Sequence, residues 1–148
     1  MKIWLKSVAF FLLAPPVAGD DLRLIASNAD VRRTVARLVD AIGASGSTVF
    51  SIVDHGVGAI RVTRDIGESQ LVIFGHPEHF TPIIERNRLA GLFLPLRILV
   101  FEDENRDVWI AYQDIPKRLI RLENIEIDGD IRAMSAALKD LSAAAAGR

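Results

Sequence analysis

The stretch Leu96-Arg97-Ile98-Leu99-Val100-Phe101-Glu102-Asp103-Glu104-Asn105-Arg106-Asp107-Val108-Trp109-Ile110-Ala111-Tyr112 decides the fold class. Two runs rich in β-branched, aromatic and aliphatic residues flank six polar ones, the pattern of two antiparallel strands joined by a solvated hairpin loop. Toward the N-terminus, Gln70–Phe74 is a third such run, closed by Gly75 and Pro77. Thr48–Val53 is a fourth, broken by Asp54-His55-Gly56-Val57-Gly58, and Leu22–Ala26 is a fifth. Val31, Val35, Leu38, Val39 and Ile42 recur at helical spacing between the first two strands in chain order. Ser27 and Asp30 are spaced as the N-cap and N3 acid of that helix, and Gly43 and Gly46 close it. Thr81-Pro82 reads as an N-cap followed by an N1 proline, opening a short helix that stops at Gly91. Pro116 opens a helical turn within residues 115–124. Asp128 and Asp130 lead a last helix, where negative charge suits the positive end of the dipole. Its apolar stripe is Ile131, Met134, Leu138 and Leu141, and Ala143–Ala146 are expected to fray. The order β-α-β-β-β-β-α gives an α+β fold: an antiparallel sheet with helices packed on one face.

Composition bounds what such a domain can do. The chain has 148 residues, 50% hydrophobic and 25% charged, with a net charge of −1. That is the profile of a globular domain without an electrostatic drive toward nucleic acid. There is no cysteine, which excludes disulfides, thiolate nucleophiles, Cys-ligated metal and covalent haem. The chain opens Met1-Lys2-Ile3-Trp4-Leu5-Lys6, then Val8–Ala14, then Pro15-Pro16-Val17-Ala18-Gly19. A basic start, a short apolar run, a helix break and small residues make residues 1–19 a signal peptide, with a single domain over 20–148. The prolines stop the run well short of the roughly 20 residues that span a bilayer, so no membrane span remains after cleavage. The protein is therefore expected to be periplasmic or secreted. Lys2 and Lys6 leave with the leader, so the net charge falls to −3.

Three segments together resemble the bacterial and archaeal domain of unknown function 302 family. They are Val53-Asp54-His55 followed by Gly58-Ala59, Phe74-Gly75-His76-Pro77 followed by Thr81-Pro82, and Leu94-Pro95 running through Leu96–Asp103. The strand ending Ala111-Tyr112 also fits, and the resemblance covers roughly residues 25–120. It implies a compact α+β domain of the TATA-binding-protein type and carries no activity with it. This chain departs from the family in one loop. Where the family resembles Gly-Asn-Pro-Lys-Ala-Gly-Thr-Pro, this chain has Gly75-His76-Pro77-Glu78-His79-Phe80-Thr81-Pro82, so a Lys and a Gly give way to Glu78 and Phe80.

The candidate site residues follow from the loops. Gly75–Pro82 runs from a strand end toward a helix start, where free N–H groups favour anions. It carries His76, Glu78 and His79, whose imidazole and carboxylate groups suit a divalent metal, although a site generally needs three or four ligands. No cofactor is dictated by the sequence. Asp54 and His55 sit at a strand end, where a histidine titrating near neutrality could serve acid–base chemistry. The favoured reading is a non-catalytic ligand- or partner-binding domain, with Asp54, His55, Gly75, His76 and Thr81 lining a pocket between two loops. The alternatives are a metal protein using His76, Glu78 and His79, or an enzyme using His55 with Asp54. Consecutive strand ends of a hairpin fall at opposite edges, which argues against a shared pocket. The run Leu89–Leu96 is expected to be buried or to form an interface patch. A sheet with helices on one side leaves its other face needing a cover, and a second copy of the chain is one candidate for it.

Overall fold

The hairpin read first forms as expected, and the rest of the sheet assembles around it. A computed structural model describes residues 19–148, and the expected signal peptide, residues 1–19, lies outside them except for Gly19. The strands are β1 (Leu22–Ala26), β2 (Thr48–Asp54), β3 (Ser69–Gly75), β4 (Leu96–Glu102) and β5 (Val108–Gln113). The helices are α1 (Val31–Ala44), α2 (His55–Ile60), α3 (Pro77–Arg86), α4 (Ile115–Leu119) and α5 (Gly129–Ala146), with a 3-10 turn over Arg88–Leu92. All neighbouring strands pair antiparallel, in the order β1-β5-β4-β3-β2. The first strand in the chain therefore lies on one edge and the second on the other, and α1 crosses the sheet between them.

The core lies between the sheet and the two long helices. Val72 and Phe74 of β3, Ile98 and Val100 of β4 and Ile110 of β5 are fully or almost fully buried. Val31, Leu38 and Ile42 of α1 and Ile131 and Leu138 of α5 seal them. These strand positions share one parity, as a two-residue period requires, so one face of the sheet carries the whole helix-packed core.

Five local expectations are corrected. Asp30, not Ser27, caps α1: its Oδ1 accepts the Arg33 N–H at 2.7 Å. Ser27 instead pairs its hydroxyl with the buried Thr34 hydroxyl at 2.7 Å. The break after β2 is itself a short helix, capped by Asp54. α3 starts at Pro77, so Thr81 lies inside it and Pro82 is accommodated in its interior. His76-Pro77 and Thr81-Pro82 both offer a proline at N1, and the helix takes the earlier. The C-terminal alanines do not fray. Ala145 and Ala146 are fully buried, and the Asn28 N–H donates to the Ala146 carbonyl at 3.2 Å. Gly147 then ends α5 with φ of +80°, and a Cβ there would fall 2.6 Å from the Asn28 amide, so only glycine fits. The Leu89–Leu96 run is split: Ala90, Leu94 and Leu96 are buried, while Leu89 and Leu92 are exposed, Leu92 at 68%.

Candidate functional site

The sheet register separates the two loops singled out from sequence. Thr48 pairs with Gly75 and Asp54 with Gln70, so Asp54 and His55 lie at one end of the β2–β3 hairpin and Gly75 and His76 at the other. Seven residues of strand at about 3.3 Å each put roughly 20 Å between them. Asp54 is occupied structurally. One carboxylate oxygen accepts the Val57 N–H at 2.8 Å and the other accepts from Gln70 Nε2 at 3.1 Å. Its neighbour His55 is exposed on the first turn of α2 and lines none of the main cavities. A general acid–base pair needs its two groups within hydrogen-bond reach, and here the carboxylate is committed elsewhere.

At the other end, His76 and His79 come together. Their ring centroids are 5.1 Å apart with a 52° tilt. His79 Nδ1 lies 3.5 Å from Asp130 Oδ1 in the first turn of α5, and His76 Nδ1 is buried without a partner. Both rings border a cavity of about 190 Å³. Phe74 and Leu96 line it from the sheet, Met134 and Ala137 from α5, and Ser45 and Ser47 from the turn after α1. Gly75 also lines it. A Cβ there would meet the Phe80 ring at 3.2 Å, so glycine lets Phe80 close one wall. Glu78 is exposed and not part of this lining, and Thr81 is exposed in the second turn of α3. Among the described residues, no three His, Asp or Glu side chains converge into a metal-holding group.

The most extensive feature was only partly visible in the loops. On the face of the sheet opposite the helices, Val53, Leu71, Leu99, Ala111 and Leu24 pair in register across all five strands. Ile73 flanks this row on one side, and Phe101 paired with Trp109 flanks it on the other. None of these residues belongs to the helix-packed core, although Trp109, at 4% exposure, is buried within the chain. Arg97 is the one charged residue at the strand positions of this face, and its guanidinium donates to the Leu92 carbonyl at 3.0 Å. At one end the hairpin loop folds against Trp109, whose indole N–H donates to Asp103 Oδ2 at 2.9 Å. Burial pushes the Asp103 carboxyl up. The hydrogen bonds from Trp109 and from the Asp107 and Asn105 N–H groups outweigh it and hold the group below its ordinary value.

The signal for this face was present in the strands. An antiparallel strand with one wet face alternates apolar and polar residues, whereas a strand covered on both faces reads as a continuous apolar run. Gln70-Leu71-Val72-Ile73-Phe74 and Ile98-Leu99-Val100-Phe101 are of the second kind.

Comparison with known proteins places the chain. The model of a family described as domain of unknown function DUF302 matches residues 24–145. A crystal structure of an uncharacterized conserved DUF302 protein from Bacillus stearothermophilus superposes with a TM-score of 0.67. It covers 87% of this chain and 98% of its own at 18% identity, a likeness of fold alone. Among curated proteins, "Fluoride-specific ion channel FluC 1" of Brucella suis is 32% identical over 134 residues, covering 88% of this chain and 52% of the relative. "Fluoride-specific ion channel FluC 2" of Brucella melitensis is likewise 32% identical, with 49% of its length covered. The chain thus spans about half the length of these curated relatives. Within the described residues, no helix is long and apolar enough to cross a membrane.

Proposed function

The chain belongs to the DUF302 family, and from that premise we propose that it is an exported, non-catalytic partner-binding domain whose binding surface is the open face of its sheet. The observation that carries this is the unbroken apolar row from Val53 to Leu24, on a face with no helix over it. Val53 is exposed and the other residues of the row are half-buried, and contiguous apolar surface left partly open in this way marks interaction sites.

The occupant we propose is a second copy of the chain. The face is nearly free of charge, so it needs no oppositely charged partner and can stack on itself about a two-fold axis. Five strands at about 4.8 Å spacing, each about 20 Å long, give a footprint of roughly 480 Å² per copy, or about 1,000 Å² for the pair. That lies near the lower bound of about 1,000 Å² for a biological interface, the size class of weaker pairs. The curated relatives add a second support. In them a region like this chain makes up about half of a longer polypeptide, as expected of a module that works beside another segment. The metal reading keeps the two neighbouring imidazoles of His76 and His79 but finds no third ligand among the described residues.

Light scattering across a concentration series tests the proposal. Twice the chain mass is expected, and a single-chain mass at every concentration contradicts it.

A further inference from the structure

We propose that the cavity beside His76 and His79 is a binding site for a small neutral aromatic molecule of the phenol class. The cavity lies on the helix side of the sheet, so it is distinct from the open face and does not depend on it. Its volume of about 190 Å³ suits a single ring: an apolar engineered cavity of about 150 Å³ binds benzene.

The floor and walls are apolar. Phe74, Leu96 and Met134 are all buried, and Phe80 stands edge-on to Phe50, with centroids 6.3 Å apart. The room exists because small residues line the α5 side, Ala133 and Ala137, one helical turn apart. The rim is polar: two serine hydroxyls, from Ser45 and Ser47, and two imidazoles. The Ser45 hydroxyl donates to the Ile42 carbonyl at 2.7 Å and lies 3.2 Å from that of Ser47. A ring on the floor would place one substituent among groups that both donate and accept, as a phenolic hydroxyl does.

Charge at the rim decides between a phenol and an acid. Asp130 stands 3.5 Å from His79. The Asp130 carboxylate beside His79 would oppose a second carboxylate at the rim. A neutral hydroxyl meets no such opposition.

Titration of the full-length protein with phenol, benzene and benzoate, followed by NMR, tests the assignment. Phenol at millimolar concentration is expected to shift the His76, His79, Phe80 and Met134 resonances saturably. Benzene, lacking the hydroxyl, should bind about tenfold more weakly. Ala137→Leu should fill the cavity and weaken phenol by at least about tenfold. Ala133→Leu, at a more exposed wall position, supplies the same test if the first variant does not fold. Unshifted resonances, or undiminished affinity in whichever variant folds, would overturn the site. Benzoate binding as tightly as phenol would overturn the neutral class.

Discussion

On one side of the sheet, Val72, Phe74, Ile98, Val100 and Ile110 are sealed under α1 and α5; on the other, Leu71, Ile73, Leu99, Phe101 and Ala111 meet no helix. The residue types on the two sides are nearly interchangeable, and the strands alternate between them without any change in apolar character. Burial within one copy of the chain is therefore set by where the helices land. The hydrophobicity of the strand positions does not set it. The helix face is a core completed within the chain, and the open face is, in our reading, half of one.

Adjacent positions of β4 allow the contrast to be broken directly, and the largest effect belongs to the sealed side. Ile98→Ala removes a fully buried side chain and leaves a cavity beneath the helices, so it should cost about 2–5 kcal/mol of unfolding free energy in urea denaturation. A loss under 1 kcal/mol would mean that the helices do not seal this face tightly.

The next effect probes how α5 is fixed over that face. Asp128 caps it, accepting the Ile131 N–H at 3.0 Å, and pairs with Arg86 at 2.7 Å. The Ile131 N–H foremost, with the Arg86 guanidinium, holds its carboxyl below the ordinary value. A depressed carboxylate contributes stability that is present above its unfolded pKa of about 3.9 and is lost as pH falls through the folded value. About a third of the side chain is exposed, so only part of the shift converts to stability. Asp128→Ala should cost about 1 kcal/mol at pH 7 and progressively less below pH 4. Asp128→Asn keeps the cap and should remain close to wild type. Equal losses for both variants, unchanged with pH, would remove the capping account.

The smallest effect on stability belongs to the open side. Leu99→Lys replaces a residue that no helix covers, so the single chain should change by no more than about 0.5 kcal/mol, measured at concentrations where it is monomeric. Matching the loss of Ile98→Ala would show that the face is already covered within one chain.

The five strands, the two long helices and their α+β packing were legible because periods of 2 and 3.6 were intact in the sequence. What failed were starts and stops. Two X-Pro pairs compete for the start of α3, and the sequence does not rank them. The end of α5 looked frayed because an alanine run carries no packing signal of its own; its order comes from Asn28, which is distant in sequence. The candidate site residues were chosen for chemistry and found at opposite ends of one hairpin, as strand geometry had warned. The pocket on the His76 side draws on Ser45, Met134 and Ala137, residues from three parts of the chain that no local motif unites.

The proposed face-to-face pair is most directly tested by placing a single thiol at its centre. β4 is the middle strand of the five, and Leu99 lies in the middle of the apolar row. The chain has no cysteine, so Leu99→Cys introduces the sole reactive group. Stacked sheets sit about 10 Å apart, within reach of a short bismaleimide linker. Leu99→Cys should be captured rapidly as a covalent dimer, far faster than Lys139→Cys, which is exposed on α5 on the opposite side of the sheet. Equal, slow crosslinking of the two variants would contradict the pairing of open faces.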